Sequence, residues 1–338
     1  MPASVTLAVT STPHDALFRG VFEHTPHAEA ELRHVLPAAI VDAIDWRSLT
    51  LQPGTYVDDE LAKRHSDLLF SATLALSGDP LLVFVLCEHQ SSDDALMPVR
   101  LLEYMIRIWR RFVAEHPGEP LPPIIPVVVA HAADGWRSPV ELADLCTPHL
   151  PPSIRATLPN FRYALDDLAH VSDEDLHRRA MQAVPRLALW LMRDVRRAET
   201  FLRNLPRWAP TFQAIARSPT HRESALRLLR YVALVCDEVH YDRFRANLQK
   251  LAPATEPLNM TIAERLHAEG RAEGKAEGKA EGRAEGKADA ILLILEARGL
   301  LVDDAVRVRI TACHDLPRLE HWLSRAVTVE HAADIFED

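Results

Sequence analysis

Glycine is scarce in this chain, with 11 residues in 338 against 24 prolines, and five of the eleven are crowded into one short repeat. Outside that repeat few joints are free to adopt left-handed backbone. Cysteine is scarcer still. Cys87, Cys146, Cys236 and Cys313 lie far apart, with no CxxC pair and no Cys/His cluster at zinc spacing. That pattern argues against a disulfide framework or a structural zinc site, and predicts reduced, mostly buried thiols in a cytoplasmic protein. No stretch approaches the roughly 18 apolar residues that cross a bilayer, and no basic-then-apolar leader is visible, so a membrane partner is not expected. A glycine-rich phosphate loop with Lys-Ser/Thr and a GxSxG elbow are both missing, which removes the usual signs of ATP use and of esterase chemistry. Basic excess is missing too. Lys and Arg number 38 against 48 Asp and Glu, a net charge of −10. That argues against a general nucleic-acid coat protein but allows a local basic groove.

What is present is ordinary globular composition, 48% apolar and 25% charged, in a length that suits about two domains at roughly 100–200 residues each. The stretch LLVFVLCEHQSSDD at 81–94 is the most informative. Seven apolar residues read as a buried strand, and they run straight into Glu88, His89 and Gln90. The preceding DLLFSATLAL (67–76) is also strand-like and SGDP (77–80) is a turn, so the two runs predict an antiparallel hairpin. Symmetric pairing about Gly78-Asp79 sets Leu76 opposite Leu81 and Asp67 opposite Gln90. With a side-chain period of two, Asp67, Glu88 and Gln90 then share one face at the open end of the hairpin.

Around this hairpin the chain reads as follows. Residues 1–10 look like a loose leader. STPHDALFRGVFEH predicts a helix with Thr12 as cap, Pro13 in its first turn and Asp15 where a capping-box acid belongs. HAEAELRHVLPAAIVDAI is a second helical pattern broken at Pro37, and SLTLQPGTYVDD reads as a strand or a broken hairpin. After the hairpin, SSDDALMPVRLLEYMIRIWRRFVAEH predicts a long helix capped by Ser92 or Asp93, with Leu96, Val99, Leu102, Ile106, Trp109 and Val113 as its apolar stripe. PPIIPVVVAHA predicts a buried strand. Strand, helix and strand together give a right-handed parallel crossover. The element order is αβββαβ, an α/β core with a mixed sheet. Residues 141–258 read as a helical domain. Residues 259–290 hold five Ala-Glu-Gly-Lys/Arg tetrads, a marginal helix or a solvated linker, because each glycine costs about 1 kcal/mol relative to alanine. Residues 291–338 read as a helical module with Leu292, Leu295 and Leu300 facing Leu316, Leu319 and Trp322. This repeat and module suggest a homo-oligomer.

Two carboxylates on one face at a sheet edge can share a hard divalent cation such as Mg²⁺, and a bound cation both activates water and offsets charge growing on a phosphate. Asp67, Glu88 and the carbonyl of His89 are the candidate metal ligands, with Gln90 orienting the attacking water or contacting a phosphate oxygen. The structural alternative is that the strand simply ends in polar residues as it reaches solvent.

HDALFRGVF, SDLLF, EHQSSDDALMPVRLLEYMIRIW and LPPIIPVVVAHAADGW together resemble the Rpn family of recombination-promoting nucleases, within the PD-(D/E)XK superfamily, over about residues 13–140, which sets the nuclease-like core at residues 11–140. The resemblance implies a restriction-endonuclease-like core, and a metal-dependent DNA endonuclease of low sequence specificity in recombination or mobile-element biology. Carried over by position, Asp67 matches the motif aspartate and Glu88 the (D/E), while Gln90 stands where most of the superfamily has lysine. Asp15 matches an acid that such nucleases sometimes add to the site, and it serves equally as a capping acid. The alternative is a catalytically weak nuclease fold acting as a DNA-binding or oligomeric interaction protein. A transposase triad of the DDE kind is disfavoured, because the acids lie on adjacent strands with no third acid at long spacing. His14 reads as an exposed helix-start residue, Arg107, Arg110 and Arg111 as a basic cluster able to meet phosphates, Tyr104 as site-lining or core, and Trp136 as structural.

Overall fold

The computed structural model describes residues 12–53, 67–88, 94–132, 134–147, 149 and 151–337. The chain divides into two compact units, Met1–Met260 and Thr261–Asp338. The first is an α/β unit built on one five-stranded sheet in the order β1-β2-β3-β4-β5.

Helix α1 (Pro13–Phe22) starts as its sequence dictates. Thr12 caps it, Pro13 takes the first turn, and Asp15 returns the bond to the Thr12 backbone in a capping box. Helices α2 (Thr25–Val35) and α3 (Ala38–Ala43) are split at Pro37. Leu36, just before the proline, is extended, as sterics before proline require. Strands β1 (Ile44–Leu51), β2 (Leu68–Leu74) and β3 (Pro80–Glu88) form an antiparallel meander. Helix α4 (Met97–Glu115) then crosses over to β4 (Ile124–Ala130), which pairs parallel to β3. The αβββαβ order and the mixed sheet are as the sequence predicts.

Three details differ. The hairpin register is the first. Thr73 pairs with Pro80 and Leu68 with Val85, not Leu76 with Leu81. The turn is wider than two residues because Gly78 takes φ +76°, and its N–H bonds Leu74 O while Leu74 N–H bonds Asp79 O. Leu76 is thereby pushed to the tip, fully exposed. Asp67 therefore lies across from Leu86, not Gln90. The displacement is an even number of residues, so the alternation of faces along the strands is unchanged.

The second is the face of α4. Its buried residues are Met97, Pro98, Leu101, Tyr104, Met105, Ile108 and Phe112, whereas Leu96, Val99, Ile106 and Val113 are exposed. The predicted stripe and the true core face are both apolar on this helix, and only the second meets Phe84 and Val128 of the sheet. The cap also differs: Leu96 stands at the N-cap with no side-chain bond, and Ser92 and Asp93 lie outside the described residues.

The third is an added strand, β5 (Ala164–Asp167), parallel to β4 inside a stretch that reads as helical. Four residues ending in two aspartates carry no strand pattern. Around it come α5 (Asp173–Arg178), α6 (Ala183–Asp194), α7 (Ala198–Arg217), α8 (Arg222–Val235) and α9 (Glu238–Leu251). Their core is aromatic, with Trp190 stacked on Trp208 at 5.0 Å and flanked by Phe201 and Phe212.

Helix α10 (Glu256–Ala297) carries the tetrad repeat. Nucleation is the costly step of helix formation, and both ends of α10 are seeded by packing, at Leu258 and at Ala288, Ile291 and Leu295. Gly299, at φ +76°, ends the last turn, with Leu300 N–H bonding Leu295 O and Gly299 N–H bonding Glu296 O. In the second unit α11 (Asp304–Thr311) and α12 (Leu316–Ala326) close over this end. Leu292, Leu295, Leu319 and Trp322 are buried there, with Leu300 and Leu316 packed at the edge, as the pattern predicts.

Cys146, Cys236 and Cys313 are free and half-buried, less enclosed than the sequence suggests. Burial pushes the Cys236 thiol up to about 11, helped by neighbouring Asp237. No helix among the described residues is long and apolar enough to cross a membrane.

Candidate active site

Two of the predicted site residues, Asp67 and Glu88, lie at one end of the sheet, where β3 and β4 run out side by side. Glu88 ends β3 with its backbone in register with Ala130, the last residue of β4. Asp67, half-buried, stands one position before β2 begins. Even with the corrected register, Asp67 and Glu88 belong to the same end of neighbouring strands. His89 and Gln90 lie outside the described residues.

Asp15 approaches from α1. It is buried, and its Oδ2 accepts from Thr12 N at 3.2 Å and Thr12 Oγ1 at 2.9 Å. Its capping reading is thus realised. Both bonds use one oxygen, and Oδ1 is closed off from solvent.

His14 overturns its sequence reading. It is 4% exposed, not a surface residue. Tyr231 on α8 meets Nδ1 at 2.7 Å, and Arg196, between α6 and α7, donates to Nε2 at 2.5 Å. A guanidinium has only N–H donors, so Nε2 must be the acceptor nitrogen. Nδ1 faces the Tyr231 hydroxyl, so the ring is gripped at both nitrogens. His131, also buried, lies with its ring centroid 5.1 Å from that of His14. His131 directly follows Ala130, the register partner of Glu88. Residues 14, 131, 196 and 231 thus meet from four separate stretches of chain. Sequence reasoning missed three of them. One signal was available: CEH at the end of β3 and VAH at the end of β4 are apolar strands terminating in histidine, and parallel pairing brings their ends to one rim.

Other candidates resolve plainly. Tyr104 is core, edge-on to Phe84 at 5.4 Å. In the basic cluster on α4, Arg111 pairs with Glu115 at 2.7 Å, Arg107 is half-buried, and Arg110 is exposed. Trp136 is structural, with its N–H on Asp167 Oδ2 at 2.8 Å and its indole N–H on the Tyr163 hydroxyl at 2.9 Å.

A second polar cluster sits inside the fold. Arg179 forks onto Asp166 of β5 at 2.6 and 2.7 Å and reaches Glu31 of α2 at 3.2 Å. All three are buried. Burial drives the Glu31 carboxyl well above its ordinary range, and the charge on Asp166 adds to this against the pull of Arg179. Burial also works against an ionised Asp166, but the Arg179 fork and the bond to Glu31 outweigh it and hold that carboxyl low.

Among the described residues no three His, Cys, Asp or Glu side chains form a ready metal cage.

Residues 12–223 match the family described as "Putative transposase, YhgA-like". The chain belongs to that family. Recombination-promoting nuclease RpnD of Escherichia coli O157:H7 is 31% identical over 263 residues, which is 76% of this chain and 95% of the relative. Recombination-promoting nuclease RpnA of Escherichia coli K12 is 26% identical over 264 residues, 77% and 85% of the two chains. An inactive recombination-promoting nuclease-like protein, RpnE of the same strain, is 26% identical over 274 residues, 79% and 85%. The Rpn resemblance read from the sequence is therefore upheld. No solved structure matches the chain.

Proposed function

We propose that the chain is a metal-dependent DNA endonuclease that hydrolyses phosphodiester bonds with low sequence specificity, acting in recombination. The observation that supports the reading is that Asp67 precedes β2 and Glu88 ends β3 at the same end of neighbouring strands of an αβββαβ sheet, in a chain whose relatives are named recombination-promoting nucleases. The donor set fits a hard cation. Asp67, Glu88 and the main-chain carbonyl of His89 are all oxygen donors of the kind Mg²⁺ takes. A cation held there would supply a nucleophilic water at neutral pH and offset charge on the phosphate. The chain's own groups do the rest. Gln90 orients the attacking water by hydrogen bonding. It brings no positive charge, so it cannot stabilise the transition state as a lysine would. Asp15, buried beside His14, adds negative charge that favours cation binding. Self-association through the tetrad helix and the terminal module belongs to the same proposal, and is read by sedimentation.

The test is nicking of supercoiled plasmid with Mg²⁺. Wild-type chain should nick, while Asp67→Ala and chelator should each lower the rate by at least about a hundredfold, the scale of removing a principal electrostatic group. Equal activity in wild type and Asp67→Ala would remove the site from the hairpin mouth.

The second reading is a DNA-binding protein with little catalysis. Gln90 in place of lysine and the inactive relative RpnE favour it. DNA binding without nicking under any divalent cation would select it.

A further inference from the structure

We propose that the cavity between the α2–α3 corner and the first residues of β4 and β5 binds a small apolar ligand with one negative charge, an alkyl carboxylate of medium length, and that Arg162 receives the charge. The inference goes beyond the nuclease reading and stands apart from it.

The cavity follows from the course of the chain. Pro37 splits α2 from α3 and leaves Leu36 extended, so the chain turns a corner there. That corner, the start of β4 and the stretch entering β5 line a cavity of about 390 Å³. Small-molecule sites commonly span about 300–1,000 Å³, with apolar walls and few polar groups. Val35 and Ile40 line this one from the corner, Ile125 from β4, Leu165 from β5 and Val140 from the loop between the strands. All five are half-buried, so elements far apart in sequence leave apolar surface around one space. Among the residues that line it, Arg162 alone is charged.

The walls are held without Arg162. Glu31, one turn before Val35 on α2, is tied through Arg179 to Asp166 of β5. A site whose walls are already fixed loses less entropy when a ligand arrives. The charge of Arg162 is not spent in that cluster. Its backbone bridge partner Glu141 accepts from Asn160 Nδ2 at 2.7 Å and lies 3.9 Å from Arg155. Among the described residues no carboxylate pairs with the Arg162 guanidinium, which is exposed. A guanidinium fork matches a carboxylate in geometry as well as charge. One cation above an apolar floor suits a monoanion with an apolar body. A nucleotide would need polar partners for its base and further cations for its phosphates. The lining side chains add only the Tyr163 hydroxyl, which already bonds Pro139 O and the Trp136 indole N–H.

The experiment is isothermal titration of the full-length chain with octanoate, kept below the concentration at which it forms micelles. Octan-1-ol serves as the uncharged counterpart. Arg162→Gln and Ile40→Trp are titrated alongside, and circular dichroism checks that each is folded. Wild type should bind one octanoate, with the negative heat-capacity change of apolar burial, and its thermal midpoint should rise with ligand. Octan-1-ol should bind more weakly by about tenfold or more, the scale of one charge-assisted hydrogen bond. Arg162→Gln should bring octanoate down to the level of octan-1-ol and leave octan-1-ol binding unchanged. Ile40→Trp fills the cavity and should abolish both. Octanoate binding that survives Arg162→Gln at full strength, or octan-1-ol binding as tightly as octanoate, would overturn the proposal. Equal binding by wild type and Ile40→Trp would place the ligand elsewhere and overturn it too. So would binding of a peptide with an apolar residue beside an acid when octanoate does not bind, because the cavity would then be a peptide groove. Plasmid nicking by wild type and Asp67→Ala is read separately, and none of these outcomes alters the nuclease reading.

Discussion

Arg179 and Arg196 are each tied to residues far away in sequence, yet Arg179 is sealed inside the fold and Arg196 is exposed. Arg179 meets two carboxylates, one of them in a bidentate fork. Arg196 meets the imidazole of His14 at 2.5 Å. The first arrangement spends the charge within the protein and joins α2 to β5. The second joins the α6–α7 connection to α1 with an exposed side chain. The contrast is one of burial: an ion pair sealed from water has to balance its charges within the fold, whereas water can replace a contact made by an exposed side chain.

The largest expected effect tests the closed cluster. Arg179→Ala would leave Glu31 and Asp166 facing each other in the interior with no cation between them. Removing one partner of a buried ion pair costs about 3–5 kcal/mol, so the urea midpoint should drop sharply. A loss under about 1 kcal/mol would show that water reaches the cluster and would erase the distinction between the two arginines.

A smaller effect sharpens the comparison through pH. The folded Glu31 carboxyl binds its proton more tightly than the unfolded one. Over the window between those two values the folded state holds more protons, so stability falls as pH rises through it. The contribution is complete below the ordinary carboxylate range and is lost as pH climbs through the raised folded value. Asp166 has the opposite sign, and its contribution is lost only as pH falls below the ordinary range. Glu31→Gln imitates the protonated acid: its carbonyl can accept from Arg179 and its amide can donate to Asp166. From pH 5 upward, wild type should lose stability relative to Glu31→Gln by up to about 1.4 kcal/mol per pH unit, the limit for one proton. A difference constant from pH 5 to 8 by chemical denaturation would mean that Glu31 is ionised throughout.

How much of this was legible in the sequence depends on the kind of pattern. Local rules carried α1 entirely, because Thr12, Pro13 and Asp15 interact within one turn. They also carried the terminal core around Leu295 and Trp322. The hairpin was found but its register was not, since Gly78 permits more than one turn and the choice depends on how β2 meets both neighbours. On α4, the stripe through Val99, Ile106 and Val113 and the one through Leu101, Ile108 and Phe112 are both apolar. Periodicity cannot say which meets the sheet. β5 is too short to show a period. That Asp67 and Glu88 fall at the same end of neighbouring strands was legible because strand pairing is a near-neighbour relation. His14, His131, Arg196 and Tyr231 were not, because their meeting depends on how α6 and α8 pack against α1. Arg179 was missed for the same reason. Its partners lie 13 and 148 residues away.

The smallest expected effect concerns the stability of the open cluster, and its size is the point. Arg196→Ala removes one hydrogen bond to His14, but the side chain is exposed and water can take its place at Nε2. The loss should be about 0.5–1.5 kcal/mol, the net worth of one ordinary hydrogen bond, well below that of Arg179→Ala. Denaturation of the two variants side by side, under one buffer and without divalent cation, makes the comparison direct. Were Arg196→Ala to cost as much as Arg179→Ala, Arg196 would be a tie that holds the α6–α7 connection onto α1. Its meeting with His14 would then exist for the fold. A small stability loss would separate the two arginines in energy as burial separates them in the structure.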